Sequence, residues 1–216
     1  MRMDLPPRLS RYQWLQRMGY EGKPDIDLLM QLAEAEEKLF AAAMPQGIYR
    51  VMPVEAITPH GEAIKKHLEG CDEVAIMGVT LGAMVDNLIR TSQVRNMAEA
   101  FILDCGASVL VERIASDLES CVMREQEKYT TVRYSPGYGD YPVTLQAELI
   151  WLMDAHRKIG LTVNKNFMLT PQKSVTAVMG MSDHPVSGYL ATCEECTIRE
   201  KCELRKKGKN CVGLQK

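Results

Sequence analysis

From about Met97 to Lys128 the chain reads as one long helix, apolar on nearly every side in its middle and strongly charged at its end. A helix that is apolar all round has to be covered all round, so its first half belongs in the core of the molecule. The elements available to cover it are short. Ile48 to Val54 (IYRVMPV) and Glu73 to Val79 (EVAIMGV) are apolar runs of strand length, and Pro53 points to a sheet edge or a strand end. Leu161 to Leu169 and Ser174 to Met181 read as two more strands, joined by Thr170-Pro171-Gln172-Lys173 as a four-residue hairpin turn. Ser10 is placed to cap a helix that Gly19 stops, and Asp25 to cap another running to about Ala43. On that second helix Leu28, Leu29, Leu32, Leu39 and Phe40 share a stripe. Glu62 to Leu68 and Leu81 to Thr91 also read as helical, and Thr144 as the cap of a helix carrying Leu145, Leu149, Leu152 and Met153 on one face. Helices and strands interleave without a regular strand–helix rhythm. The pattern predicts an α+β fold, with helices packed on a small, mostly antiparallel sheet.

Charge narrows the function. The 216 residues hold 26 Lys+Arg against 28 Asp+Glu, for a formal net charge of −2, and the pI is about 6.1. That balance argues against a polybasic nucleic-acid binder. With 46% hydrophobic residues, the chain has enough apolar surface to fold rather than stay disordered. The N-terminus MRMDLPPRLSRYQWLQRM lacks the apolar run of a signal peptide. The stretch Ala100 to Val111 is too short to cross a bilayer and contains Asp104. These features predict a cytoplasmic protein with reduced thiols.

The seven cysteines therefore need a reading other than disulfides. Cys71, Cys105 and Cys121 are scattered, and Cys105, inside an apolar helix, reads as an inert core thiol. Cys193, Cys196, Cys202 and Cys211 fall within nineteen residues, with gaps of two, five and eight. A two-residue gap lets both thiolates reach one metal centre, and four such ligands suit tetrahedral zinc or an iron–sulfur cluster. The surrounding tail has few large apolar residues, so a metal would supply its ordering free energy. Arg199, Lys201, Arg205, Lys206, Lys207 and Lys209 could offset an anionic cluster or form a solvated basic tail. Spacing alone leaves zinc and iron–sulfur open. A zinc-stabilised module touching nucleic acid is disfavoured by the interspersed Glu194, Glu195, Glu200 and Glu203.

Arg133-Tyr134-Ser135-Pro136-Gly137-Tyr138-Gly139-Asp140-Tyr141-Pro142 breaks every periodicity. Its prolines fix the backbone and its glycines permit close approach or positive φ. Arg133 offers a bidentate fork for a carboxylate, and tyrosine faces can stack on a ring or attract a cation. A zwitterionic or cationic small molecule with a flat ring would use all of these. The same block reads equally as a rigid, tyrosine-packed turn. His60, His67, His156 and His184 show no metal-ligand spacing, and no phosphate loop or nucleophile triad appears.

RYSPGYGDYPVTLQAELIWLMDAHRKIGLTV, followed by KSVTAVMGMS, resembles the activation (reactivation) domain of cobalamin-dependent methionine synthase, in its short free-standing bacterial form. LSRYQWLQRMGYEG, IYRVMPV, KKHLEGCDEVAIMGVTLG and MAEAFILDCGAS extend the resemblance over almost the whole chain. It implies a reactivation-type domain over residues 1–185 that binds S-adenosylmethionine; the cysteine-rich tail over 186–216, read as metal-binding from its spacing, lies outside the family's domain. Within the Arg-x-x-Pro-Gly-Tyr motif it assigns the ligand to Arg133, Ser135, Gly137 and Tyr138, with Arg133 on the methionyl carboxylate. The implied role is repair of oxidised cobalamin held by a partner, a corrinoid protein or methionine synthase module, using one electron and a methyl group. That electron gives a 4Fe–4S cluster in the tail a purpose and favours it over zinc, with a reductant protein as a further partner. On this reading the chain is an accessory component of a methyltransferase system. The alternative is an iron–sulfur electron-transfer or docking partner of a corrinoid protein without a ligand site of its own.

Overall fold

A computed structural model describes residues 2–57, 60–188 and 200–201. Five strands form one sheet in the order β1-β2-β3-β7-β4, and every pairing in it is antiparallel. They are β1 (Arg2–Asp4), β2 (Gln46–Pro53), β3 (Glu73–Thr80), β4 (Tyr129–Thr130) and β7 (Ser174–Ser182). The two strands β5 (Thr162–Val163) and β6 (Leu169–Thr170) pair with each other in a separate ladder. The expected α+β architecture is the one observed.

The sheet is covered on both faces. On one face lie α1 (Arg11–Arg17), α2 (Ile26–Ala42), α4 (Ala83–Arg95) and the long α5 (Met97–Gln126). Ala75, Met77 and Val79 of β3 and Ala177, Met179 and Met181 of β7 point into that layer. Val74, Ile76 and Val178 alternate to the other side, where α3 (Glu62–His67), α6 (Gln146–Met153) and α7 (Ala155–Ile159) pack. The period of two along each strand thus divides the core into two separate clusters.

Burial along α5 runs from Ala100 to Val122, well beyond the first half of the helix. Asn96 caps its start, its side chain accepting from the N–H groups of Ala98 and Glu99. Gly106 lets α1 come close. A Cβ there would sit 2.5 Å from Cζ2 of Trp14, and the Trp14 indole N–H donates to the Ile102 carbonyl at 2.9 Å. Ser10 and Asp25 cap α1 and α2 as the sequence predicts. On α2, Leu32 and Leu39 are buried, whereas Leu29 is 38% exposed.

Two expectations are corrected. Residues 161–170 do not form a hairpin with β7; they fold back on themselves through a turn at Asn164, whose side chain accepts from the N–H groups of Asn166 and Met168. β7 instead pairs along its length with β3, from Ser174↔Thr80 to Met181↔Glu73, because its apolar residues complete both core layers. Thr144 is not a helix cap either. Val143–Leu145 form a 3-10 turn, and α6 begins after it without a side-chain cap bond.

Candidate ligand site at the sheet edge

The loop singled out in the sequence hangs from the edge of the sheet beside β7. β4 pairs Tyr129 with Ser182 and Thr130 with Met181, and further on Tyr134 bridges Val178 through two 2.9 Å backbone hydrogen bonds. From Thr130 to Tyr134 the edge takes four steps while β7 takes three, so a bulge lies between them. One added residue inverts which face each side chain takes. Thr131 points to the α3 layer, and beyond the bulge Arg133 points to α5 and Tyr134 to the α3 and α6 layer.

Arg133 meets a polar stripe of α5. Its Nε lies 2.9 Å from Glu119, its Nη1 3.5 Å from Glu112, and Nη2 donates to Ser116 Oγ at 3.2 Å. Positions 112, 116 and 119 share one helical face. The Arg133 side chain is 14% exposed and that of Glu119 20%, whereas Glu112 at 47% forms the solvent side of the cluster. Burial raises the Glu119 pKa above the ordinary carboxylate value, and the guanidinium opposes that shift.

Tyr134 is buried against the rings of His67, Tyr138 and Tyr141, at centroid distances of 4.8, 6.2 and 6.1 Å. Tyr138 stands 40% exposed at the rim of this group. Past Tyr134 the backbone curls: Tyr138 N–H donates to the Ser135 carbonyl at 3.1 Å, and Gly137 N–H to Tyr141 at 2.7 Å. Gly137 has φ +98°, a conformation a side chain would strain. Asp140 then reaches across to α3, accepting from Glu62 N–H at 2.6 Å and Ala63 N–H at 3.0 Å. Gly61 precedes them because a Cβ there would collide with that carboxylate.

Beneath the loop, the His67 ring is fully buried. Its Nε2 lies 2.9 Å from the Val132 carbonyl and 2.8 Å from Thr131 Oγ1. Burial lowers its pKa to about 4, against the opposing pull of the Val132 carbonyl, so it is neutral at pH 7. Burial likewise raises the Tyr141 hydroxyl above its ordinary value.

The four loop residues expected to bind a ligand thus share one short segment but not one face. The Arg133 guanidinium lies on the α5 side and the Tyr138 ring on the α3 and α6 side, with the backbone of Ser135 and Gly137 between them. A ligand touching all four would straddle the sheet edge. Glu112, Ser116 and Glu119 were not anticipated as neighbours of the loop. The i, i+4, i+7 spacing within ERIASDLE was the available signal for all three.

Cys193, Cys196, Cys202 and Cys211 lie outside the described residues. Among the described residues no group of three or more His, Cys, Asp or Glu is placed to hold a metal ion. Cys71, Cys105 and Cys121 are free and buried, and burial raises the Cys71 and Cys105 thiols. No helix among the described residues is long and apolar enough to cross a membrane.

A sequence model of the vitamin B12 dependent methionine synthase activation domain matches residues 64–197, a span that contains the whole loop. The chain belongs to that activation-domain family. Among solved structures it is similar to the MetH reactivation domain bound to AdoHcy, with a TM-score of 0.65 and 15% identity. That match covers 100% of this chain and 88% of the other, so the shared fold extends beyond the segment the family model matches. No curated protein matches the chain in sequence.

Proposed function

We propose that the chain is a S-adenosylmethionine-binding component that serves the reductive reactivation of a cobalamin or corrinoid protein, with the ligand held at Arg133, Ser135, Gly137 and Tyr138. The observation that carries this reading is the position of Arg133. A bulge turns this arginine off the sheet edge into a polar cluster, inside a segment matched by the activation-domain family. The neighbouring solved fold, a reactivation domain bound to AdoHcy, supports the same ligand chemistry.

The roles follow from the side chains. Arg133 pairs with the methionyl carboxylate through Nη1 and Nη2, which exchange their Glu112 and Ser116 contacts for the ligand while Nε keeps Glu119. Backbone groups at Ser135 and Gly137 fix the ligand along the edge, where a side chain at residue 137 would strain the turn. Tyr138, half exposed, packs against the ligand with its ring. When bound, S-adenosylmethionine supplies the methyl group, and one electron from outside this domain completes the return of cob(II)alamin to methylcobalamin. Cobalamin itself stays on the partner.

The cysteine tail extends the proposal. The gaps of two, five and eight residues between Cys193, Cys196, Cys202 and Cys211 suit a 4Fe–4S cluster, and the need for an electron favours iron over zinc. A cytoplasmic location and an external reductant protein fit that chemistry.

Calorimetric titration of the intact chain with S-adenosylmethionine tests the ligand site. Saturable binding that weakens at least about tenfold in Arg133→Ala supports it, that being the scale of losing a charge-assisted hydrogen bond. Absence of binding to the wild-type chain overturns it and leaves the electron-transfer or docking reading. Iron and zinc content with the visible spectrum of anaerobically purified protein tests the tail. A broad visible absorption with about four irons per chain is expected. A colourless protein with about one zinc overturns the cluster.

A further inference from the structure

Arg133 reaches α5 only because the edge strand breaks step with β7 between Thr131 and Tyr134. In a regular antiparallel ladder, two facing residues of a hydrogen-bonded pair exchange both backbone bonds. Thr131 and Gly180 divide these two bonds between backbone and side chain. The Thr131 N–H donates to the Gly180 carbonyl at 2.9 Å, but the Gly180 N–H donates to Thr131 Oγ1, also at 2.9 Å. A hydroxyl has taken the place of a backbone carbonyl. Had the ladder continued in register, residue 133 would face Val178. Its side chain would then enter the apolar α3 and α6 layer that Tyr134 fills.

The hydroxyl accepts this bond because its own proton has another destination. The Val132 carbonyl, which can only accept, lies 3.2 Å from Thr131 Oγ1 and 2.9 Å from His67 Nε2. His67 therefore presents an Nε2–H, and its ring, 2.8 Å from Thr131 Oγ1, fixes the threonine rotamer. The pair is sealed from solvent: Thr131 is 1% exposed and His67 fully buried. Gly188 passes so close that a Cβ there would lie 2.7 Å from Thr131 Cβ and 3.0 Å from His67 Cε1. A Gly180 N–H deprived of this oxygen has no solvent to turn to, and a buried donor without an acceptor is costly.

We infer that Thr131 is a positioning residue for the ligand site: its hydroxyl stands in for its own carbonyl as the acceptor of Gly180, opens the ladder by one residue and so sets Arg133 on the α5 side. The inference rests on the reading of Arg133 as the carboxylate anchor and names what aims it. Without the hydroxyl, the Gly180 N–H recovers an acceptor by regular pairing with the Thr131 carbonyl. That pairing closes the bulge and turns the guanidinium away from Glu119.

The test uses the intact chain with Thr131→Val, which keeps the shape and removes the acceptor, and Thr131→Ser, which keeps the acceptor and removes the methyl. Two quantities are read. The first, without ligand, is the solvent exchange of the Arg133 Nε proton by nuclear magnetic resonance, since that nitrogen lies 2.9 Å from Glu119 with the arginine on the α5 side. The second is calorimetric affinity for S-adenosylmethionine. Thr131→Val is expected to speed the exchange and to weaken binding about tenfold, the scale of one buried donor left without an acceptor. Thr131→Ser is expected to stay close to the wild type in both. Loss of packing alone would give the reverse pattern, with serine the worse variant. Thr131→Ala carries the same expectation as valine and keeps the test sound if valine disturbs folding. Unchanged Nε proton exchange in the variants lacking the hydroxyl, or a serine variant that behaves like them, overturns the role of Thr131 and leaves the ligand reading standing. If the wild type binds no S-adenosylmethionine the ligand reading falls, and the Nε proton still decides whether Thr131 aims the arginine.

Discussion

Asp140 ties the loop it belongs to onto α3 and His67 supports it from beneath, and each makes a separate prediction. Asp140 supplies the two acceptors that the start of α3 lacks. Asp140→Ala is expected to cost about 1 kcal/mol of stability, the usual loss for a helix cap. Asp140→Asn keeps one acceptor oxygen in place of two and should recover only part of it, read from urea unfolding midpoints at constant slope. His67 is buried neutral with its pKa lowered to about 4, whereas the unfolded chain titrates near 6.5. Above about pH 6.5 neither state binds the proton, and the full stability is present. As the pH falls from there towards 4, the unfolded chain takes up the proton and the native state does not, so stability falls, by about 3 kcal/mol in all. The unfolding free energy measured between pH 7 and 4 should show that slope, and His67→Gln should flatten it. Neither role was legible in the sequence. Asp140 stands in the loop but caps a helix some eighty positions earlier, and His67 showed no ligand spacing. Only folding brings α3 to the loop.

At the scale of elements, the register at the sheet edge decides most. The loop was visible in the sequence because two prolines, two glycines and three tyrosines leave no periodicity. The bulge was not, since an added residue in a strand leaves no compositional mark. Nor was the assignment of β7 to β3, because 161–169 and 174–181 have the composition of partners, and the choice between neighbours depends on core layers far apart in sequence. The contact between α1 and α5 is a second decisive place. Gly106→Ala gains helix propensity of up to about 1 kcal/mol, but its methyl would lie 2.5 Å from Trp14 and 2.8 Å from Leu39. Overpacking of that kind costs about 1–3 kcal/mol. A lowered melting temperature with unchanged far-ultraviolet circular dichroism is the expected result.

For the molecule as a whole, the α+β class and the long central helix were legible from hydropathy patterning, and the family from the loop and β7 motifs; α5 itself is buried without a break only over residues 105–111 and keeps an exposed face elsewhere. The face each site residue takes was not legible. The sheet is also unequal along its width. β3 is paired along its length on both sides and covered on both faces, whereas β7 is paired along its length with β3 alone, β4 being two residues long and the edge beyond it joining β7 through hydrogen bonds at Thr131 and Tyr134. Amide protons in β3 should therefore exchange with solvent only on global unfolding, while those of residues 129–138, and the β7 amides of Val178 and Gly180 that donate to them, exchange through local opening of the edge. A ligand lying along that edge would slow exchange at the loop and leave the centre of the sheet unchanged. The binding segment can let solvent in and out on its own timescale while the rest of the protein stays closed.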